Sequence, residues 1–210
     1  SVTACNTTLH ADLFHTTNVN AINNDTSTSS NVDVICLEKQ NQNHQNNSAK
    51  VPLHVYLCVD VSGSMTNVIG DLVHVVCLVA ANLRPCDRLC VVKFETTATL
   101  VFALAHVDNL AEFERTMRTF IVGGGGTDNG AGVQLCLQQL AAQPDTTNRF
   151  SSLIVLSDGQ TAGLDRIGIV DLCRTELART NRQLVVNSLG FTSSCDLPLM
   201  QGIAEAGNAS

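Results

Sequence analysis

From Val51 onward the chain alternates apolar runs with amphipathic stretches, and this alternation restricts the fold more than any other feature. The runs LHVYLCV (53–59), DRLCVVKF (87–94), FSSLIVLSDG (150–159) and QLVVNSLG (183–190) are nearly continuous in hydrophobicity. A strand with one solvated face alternates apolar and polar residues, whereas a continuous run has to be covered on both faces. The segments between them have helical spacing. TNVIGDLVHVVCLVAANL (66–83) contains no Lys or Arg, which predicts a helix covered on most sides. NLAEFERTMRTF (109–120) sets Leu110, Phe113 and Met117 on one face. TDNGAGVQLCLQQLAA (127–142) places Val133, Cys136, Leu137 and Leu140 inward, and GIVDLCRTELARTN (168–181) does the same with Val170, Cys173 and Leu177. DLPLMQGIAEAG (196–207) is a last helix. ATLVFAL (98–104) follows the second apolar run after a short turn, which predicts a hairpin. The pattern specifies an α/β fold, a doubly wound and mostly parallel central sheet with helices on both faces. Such sheets bind ligands at the carboxyl ends of their strands.

Residues 1–50 are different in character, polar and rich in Asn and Thr. Part of SVTACNTTLHADLF (1–14) and NVDVICLE (31–38) read as short strands, separated by a turn-rich stretch (15–30). KQNQNHQNNSAK (39–50) reads as a low-complexity linker. The expected organisation is thus a short N-terminal β extension (1–50) followed by the α/β domain (51–210). Two isolated strands are marginal alone, so the extension has to pack on the domain or on a neighbouring segment.

Composition excludes several functions. With 12 basic and 19 acidic residues the net charge is -7, and no Lys/Arg cluster offers a nucleic-acid footprint or an anchor for an anionic membrane. The apolar run from Leu72 to Leu83 is too short to cross a bilayer, so no direct membrane insertion is expected. Nine cysteines are scattered through apolar runs without the paired spacing of a zinc site, and Cys58, Cys77 and Cys136 are expected to be free and buried. Their odd number favours a reducing, cytoplasmic compartment, while N-x-[ST] triplets at Asn6, Asn24, Asn46 and Asn208 leave an extracellular one open.

Polar residues gather at the predicted strand ends. VDVSGSM puts Asp60, Ser62 and Ser64 after the first domain strand, GGGGTD puts Thr127 before a helix, and LSDG puts Asp158 after another strand. Each has an ordinary local explanation: Ser64 and Thr127 as helix N-caps, Asp158-Gly159 as a turn. Together they form an all-oxygen set without His or Cys, suited to a hard cation such as Mg²⁺, with Mn²⁺ or Ca²⁺ as alternatives. A phosphate loop does not fit, because no Lys follows the glycines.

The three segments VDVSGSM, GGGGTDNGAG and LSDG, in this order, resemble the three loops of a von Willebrand factor type A domain, with LRPCDRLCVVKF and LPLMQGIAEAGN in support. The resemblance runs from about Pro52 to Asn208 and is nearer the soluble and intracellular branches of the family. It implies one antiparallel edge strand and an intact metal-ion-dependent adhesion site. Carried over, Ser62 and Ser64 ligate the metal directly, Thr127 does so in a ligand-competent state, and Asp60 and Asp158 act mainly through water. The implied function is a metal-dependent protein-binding module whose cation bridges to an Asp or Glu of a protein partner. Two departures stand out. The family's last strand is not evident after the final helix, so that edge is missing or supplied otherwise, as in a segment of a longer protein. Asp128 stands where many relatives carry Asn, and either adds to the cation site or caps the helix. Alternative readings are a structural domain with a stabilising metal, and a Mg²⁺-dependent hydrolase; the latter lacks a general base, since His74 and His106 fall outside the three segments.

Overall fold

A computed structural model describes residues 3–5, 15–16, 35–36, 51–144, 149–160, 166–180 and 184–208. The expected linker at 39–50, most of the turn-rich stretch at 15–30 and the Leu177 side chain lie outside the described residues. The elements in chain order are β1 (Thr3–Cys5), β2 (His15–Thr16), β3 (Ile35–Cys36), β4 (Leu53–Asp60), a 3₁₀ turn (Gly63–Val68), α1 (Ile69–Asn82), β5 (Arg88–Phe94), β6 (Ala98–Ala105), α2 (Leu110–Phe120), α3 (Asn129–Ala141), β7 (Phe150–Ser157), α4 (Arg166–Thr180), β8 (Leu184–Gly190) and α5 (Leu197–Asn208).

Across the main sheet the strand order is β1–β8–β7–β4–β5–β6. β4 pairs in parallel with both β5 and β7, and β7 with β8. β5 and β6 form the expected antiparallel hairpin, with β6 as an edge strand. The opposite edge carries β1, antiparallel to β8 with Thr3 opposite Gly190, in the place left open after α5. β2 and β3 form a separate two-stranded ladder. The chain leaves β4 toward β5 and then returns to the other side of β4 as β7. The reversal of strand order therefore falls between β4 and β7, where doubly wound sheets open a crevice at their carboxyl ends.

Every residue of β4 from His54 to Asp60 is buried, as a continuous apolar run demands. Its side chains alternate between two cores. Tyr56 and Cys58 join Cys90, Phe94, Val133 and Leu140 on the α3 side. Val55, Leu57 and Val59 join Leu72, Val76, Phe113 and Met117 on the α1–α2 side. α2 is delimited by Asn109, whose side chain accepts from Glu112 N, and carries Glu112 in its first turn and Arg118 in its last, both favourable to the helix dipole.

Several expectations need correction. Phe113 and Met117 are buried, but Leu110 is 42 % exposed, because it opens the helix beyond the edge of the packed face. α1 buries only Leu72, Val73, Val76 and Ala80; Asp71, His74 and Ala81 face solvent, so the lack of basic residues does not signal cover on most sides. The 3₁₀ turn and α1 form one 20-residue helical stretch, Gly63–Asn82, long and apolar enough to cross a membrane by length and composition. Here its apolar stripe packs on the sheet. Cys58 and Cys136 are buried free thiols as expected, and Cys77 is free but only half-buried. In α3 the four residues predicted to face inward are all buried, and in α4 Cys173 is buried while Val170 is half-buried.

Candidate metal centre

Asp60 is the last residue of β4 and is fully buried. Its carboxylate is held from two sides. Oδ1 accepts the Ser62 N–H at 2.8 Å, a turn in which the side chain bonds backbone two residues on. Oδ2 accepts the Ser157 hydroxyl at 2.5 Å, the short distance of a charge-assisted bond. The Ser157 oxygen in turn accepts the Gly159 N–H at 2.9 Å. Ser157 thus bridges the end of β4 to the turn after β7. The sequence reading missed it; the one available signal is its place directly before Asp158 in LSDG. Asp158 is also fully buried. Its Oδ1 accepts the Gln160 N–H at 3.1 Å, and its Oδ2, buried as well, has no hydrogen-bond partner among the described residues.

The glycine-rich loop is fastened to the first loop by backbone bonds. Gly63 N donates to Gly125 O at 3.2 Å and Gly124 N to Val61 O at 2.8 Å, while Gly126 N donates to the Thr96 hydroxyl at 3.1 Å. Gly125 has φ +76°, and a Cβ there would lie 1.9 Å from Glu95 Oε2, so this position accepts no other residue without rearrangement. Ser62 is fully buried, and its hydroxyl lies 3.2 Å from that of the exposed Ser64. Thr127, half-buried, follows the glycines directly. The structure therefore joins all three predicted segments at one sheet edge, with Asp60, Ser62 and Asp158 as a buried floor and Ser64 toward solvent.

The helix-cap readings of Ser64 and Thr127 do not hold. Ser64 lies inside the 3₁₀ turn, and the α3 N-cap is Asp128, whose side chain accepts the Ala131 N–H at 3.0 Å. Asp128 is engaged as a cap, and neither Ser64 nor Thr127 is used for capping.

Burial pushes the Asp60 carboxyl above its ordinary range; the hydrogen bonds from Ser157 and Ser62 oppose this, and the charge of Asp158 adds to it. No basic side chain hydrogen-bonds either carboxylate among the described residues. Lys93 donates to Phe120 O at 2.9 Å, His74 is exposed on α1, and His106 contacts Asp87 O at 2.9 Å. Two buried carboxylates without a cationic partner are costly, and one oxygen without a partner adds to that cost. A hard divalent cation meets both needs, so the donor set fits Mg²⁺. No group of three or more His, Cys, Asp or Glu side chains placed to hold a metal occurs among the described residues.

No curated protein matches the chain at a significant level. Solved structures share the fold. A von Willebrand factor type A structure from Catenulispora acidiphila matches with TM-score 0.63 at 16% identity, over 74% of this chain and 37% of that one. BatB, a conserved hypothetical protein from Bacteroides thetaiotaomicron, matches with TM-score 0.57 at 14% identity, over 75% and 87%. The SpRpn10 VWA domain matches with TM-score 0.56 at 16% identity, over 76% and 84%. At these identities the likeness is one of fold. The family model described as von Willebrand factor type A domain matches residues 55–160, just over half of the chain and all three loops, and the chain belongs to that family.

Proposed function

We propose that this domain is a protein-interaction module whose adhesion site holds a divalent cation, Mg²⁺ in the first instance and Mn²⁺ or Ca²⁺ as alternatives. Ser62, Ser64 and Thr127 would hold it directly, with Asp60 and Asp158 acting mainly through water. A cation held there would offer charge to an Asp or Glu side chain of a protein partner and so bridge the two proteins. The observation that carries the reading is the floor of the site: Asp60 and Asp158, fully buried, without a basic partner, and with Asp158 Oδ2 unpaired among the described residues. The chain's own residues do the positioning. Ser157 and the Ser62 N–H fix the Asp60 carboxylate, and the Gly63–Gly125 and Gly124–Val61 bonds fix the loop that carries Thr127. The exposure of Ser64 favours a site open to a partner over a purely stabilising metal. A hydrolytic role has less support, because no His or Lys side chain hydrogen-bonds the site carboxylates among the described residues.

Titration calorimetry with Mg²⁺ tests the metal. Ser62→Ala with Ser64→Ala is expected to abolish most of the affinity while circular dichroism stays native. Asp158→Ala is expected to lower affinity about 10–100-fold, through the loss of a carboxylate that orients ligands and waters. Unchanged affinity in the double variant would remove the assignment. A pull-down with Mg²⁺ against EDTA tests the partner, and captured proteins that do not depend on the cation would refute the bridging role.

A further inference from the structure

A cleft of about 560 Å³ lies at the end of the sheet opposite the candidate metal centre. It opens where β4 and β5 begin, and is lined by His54, Arg88, His106, Gln143 and Arg149 together with Cys86. Pro52, Pro85 and Pro144 complete its wall, three of the chain's four prolines. Proline rings have few alternative conformations, so this wall is stiff and apolar. The size is that of a small-molecule site, and at about 30 Å³ per water it holds far more than a single inorganic ion.

Among the described residues, the side chains that line the cleft are basic or neutral, against the net charge of the chain. Beneath the cleft the Asp87 carboxylate is satisfied: Oδ1 accepts from Leu53 N and Arg84 Nη2, and Oδ2 from Arg84 N and Nε. Hydrogen bonds from Arg84 overcome the upward push of burial and hold its carboxyl below the ordinary range. Arg88 is exposed and has no partner among the described residues. Arg149 spends Nη2 on Pro144 O and keeps the rest of its guanidinium. His106 places Nδ1 against Asp87 O at 2.9 Å, which leaves Nε2 without a partner among the described residues. His54 is 6 % exposed, and its Nδ1 has no partner among the described residues. The positive field is felt at that ring: after burial, the nearby charges of Arg149 and Arg88 help hold its pKa down to about 4.

We propose that this cleft binds a small organic phosphomonoester, with the phosphate on the guanidinium forks of Arg88 and Arg149 and the organic part against the three prolines. Two planar forks suit a phosphate dianion better than a point charge would, and His106 offers a further hydrogen-bonding group at the rim. Asp87 is ion-paired to Arg84, and its charge at His54 is outweighed by burial and the two arginines. The more ordinary role for Arg149 is to satisfy the Pro144 carbonyl in the loop after α3, and for Arg88 to be a solvated surface side chain.

The experiment is calorimetry on the whole chain at fixed ionic strength, with glucose 6-phosphate as probe and inorganic phosphate and glucose as separate arms. Saturable binding of glucose 6-phosphate, weaker binding of inorganic phosphate and none of glucose are expected. Arg88→Gln and Arg149→Gln are each expected to weaken the sugar phosphate about tenfold or more, by removing a charged hydrogen-bond donor. Circular dichroism of each variant serves as the control for folding. If Arg149→Gln unfolds for want of its bond to Pro144 O, the exposed Arg88→Gln carries the test alone. Affinity unchanged in Arg88→Gln, or no saturable binding up to about 10 mM, overturns the proposal and leaves the arginines a structural role. Inorganic phosphate binding as tightly as the sugar phosphate also overturns it, because the proline wall then contributes nothing.

Discussion

Ser157→Ala is the sharpest perturbation of the candidate metal centre that spares every proposed ligand. The variant removes the 2.5 Å bond to Asp60 Oδ2 and strands the Gly159 N–H that now donates to Ser157 Oγ at 2.9 Å. Both losses occur in a fully buried setting, since Ser157, Asp60 and Asp158 have no exposed surface. A hydrogen bond to a charged group contributes about 1.5–3 kcal/mol, and an unpaired buried donor costs about 1–3 kcal/mol. The two share one hydroxyl, so they do not add in full, and a loss of about 3 kcal/mol is expected. For a chain of this size that lowers Tm by about 6–12 °C. Urea unfolding in EDTA measures the stability change, and calorimetry with Mg²⁺ measures the second effect. The cation affinity is expected to fall about 10–100-fold, because Asp60 loses the group that orients it. A stability change below about 0.5 kcal/mol, within the range of an ordinary surface substitution, would refute the argument that Ser157 holds the floor of the site together.

Three further outcomes follow from particular contacts. Asp128→Ala is expected to cost about 0.5–2 kcal/mol through loss of the α3 cap and to leave Mg²⁺ affinity nearly unchanged; a large fall in affinity in calorimetry would instead give Asp128 a part in the cation site. Gly132→Ala would bring a Cβ to 2.4 Å from Phe94 Cδ1 and 2.9 Å from Cys58 Sγ, both fully buried. Overpacking of about 1–3 kcal/mol outweighs a helix-propensity gain of about 1 kcal/mol, and chemical denaturation showing net stabilisation would contradict it. His54 has a folded pKa lowered to about 4, by burial first and then by Arg149 and Arg88. Its stabilising share is complete above the unfolded value of about 6.5 and is lost as pH falls through about 4, so His54→Gln is expected to flatten this acid-side loss by about 1–2 kcal/mol, discounted for the open cleft beside the ring. Parallel stability–pH curves for the two proteins would count against it.

The fold was legible because its strands announce two-sided burial. LHVYLCV and SSLIVLS cannot serve as surface strands, and the helices between them fix the parallel order. That the segments carrying Asp60, Ser62, Ser64, Thr127 and Asp158 meet was legible because the carboxyl ends of strands in a doubly wound sheet share one edge. Ser157 was not, since a serine ending a strand looks like any other strand residue until its partner 97 positions away is known. The role of Asp128 turned on which residue begins α3, a boundary that periodicity leaves loose by a residue or two. Leu110 satisfies the helical spacing yet overhangs the packed face, because spacing defines a face and not its length. The basic cleft was invisible for a different reason: His54, Arg88, His106 and Arg149 come from four separate segments.

The chain has no Trp and one Tyr, and that residue, Tyr56, is 1 % exposed on β4, four positions before Asp60. Its tyrosine emission therefore comes from a single ring whose surroundings are set by the strand that ends in the site. Energy transfer to tryptophan, which normally hides tyrosine in proteins, cannot occur within this chain. Tyrosine emission follows one reporter, and a single Phe→Trp replacement would instead supply a tryptophan reporter with no native tryptophan background. Titration of the proposed metal centre with Mg²⁺ can then be read optically from within the core, without a label.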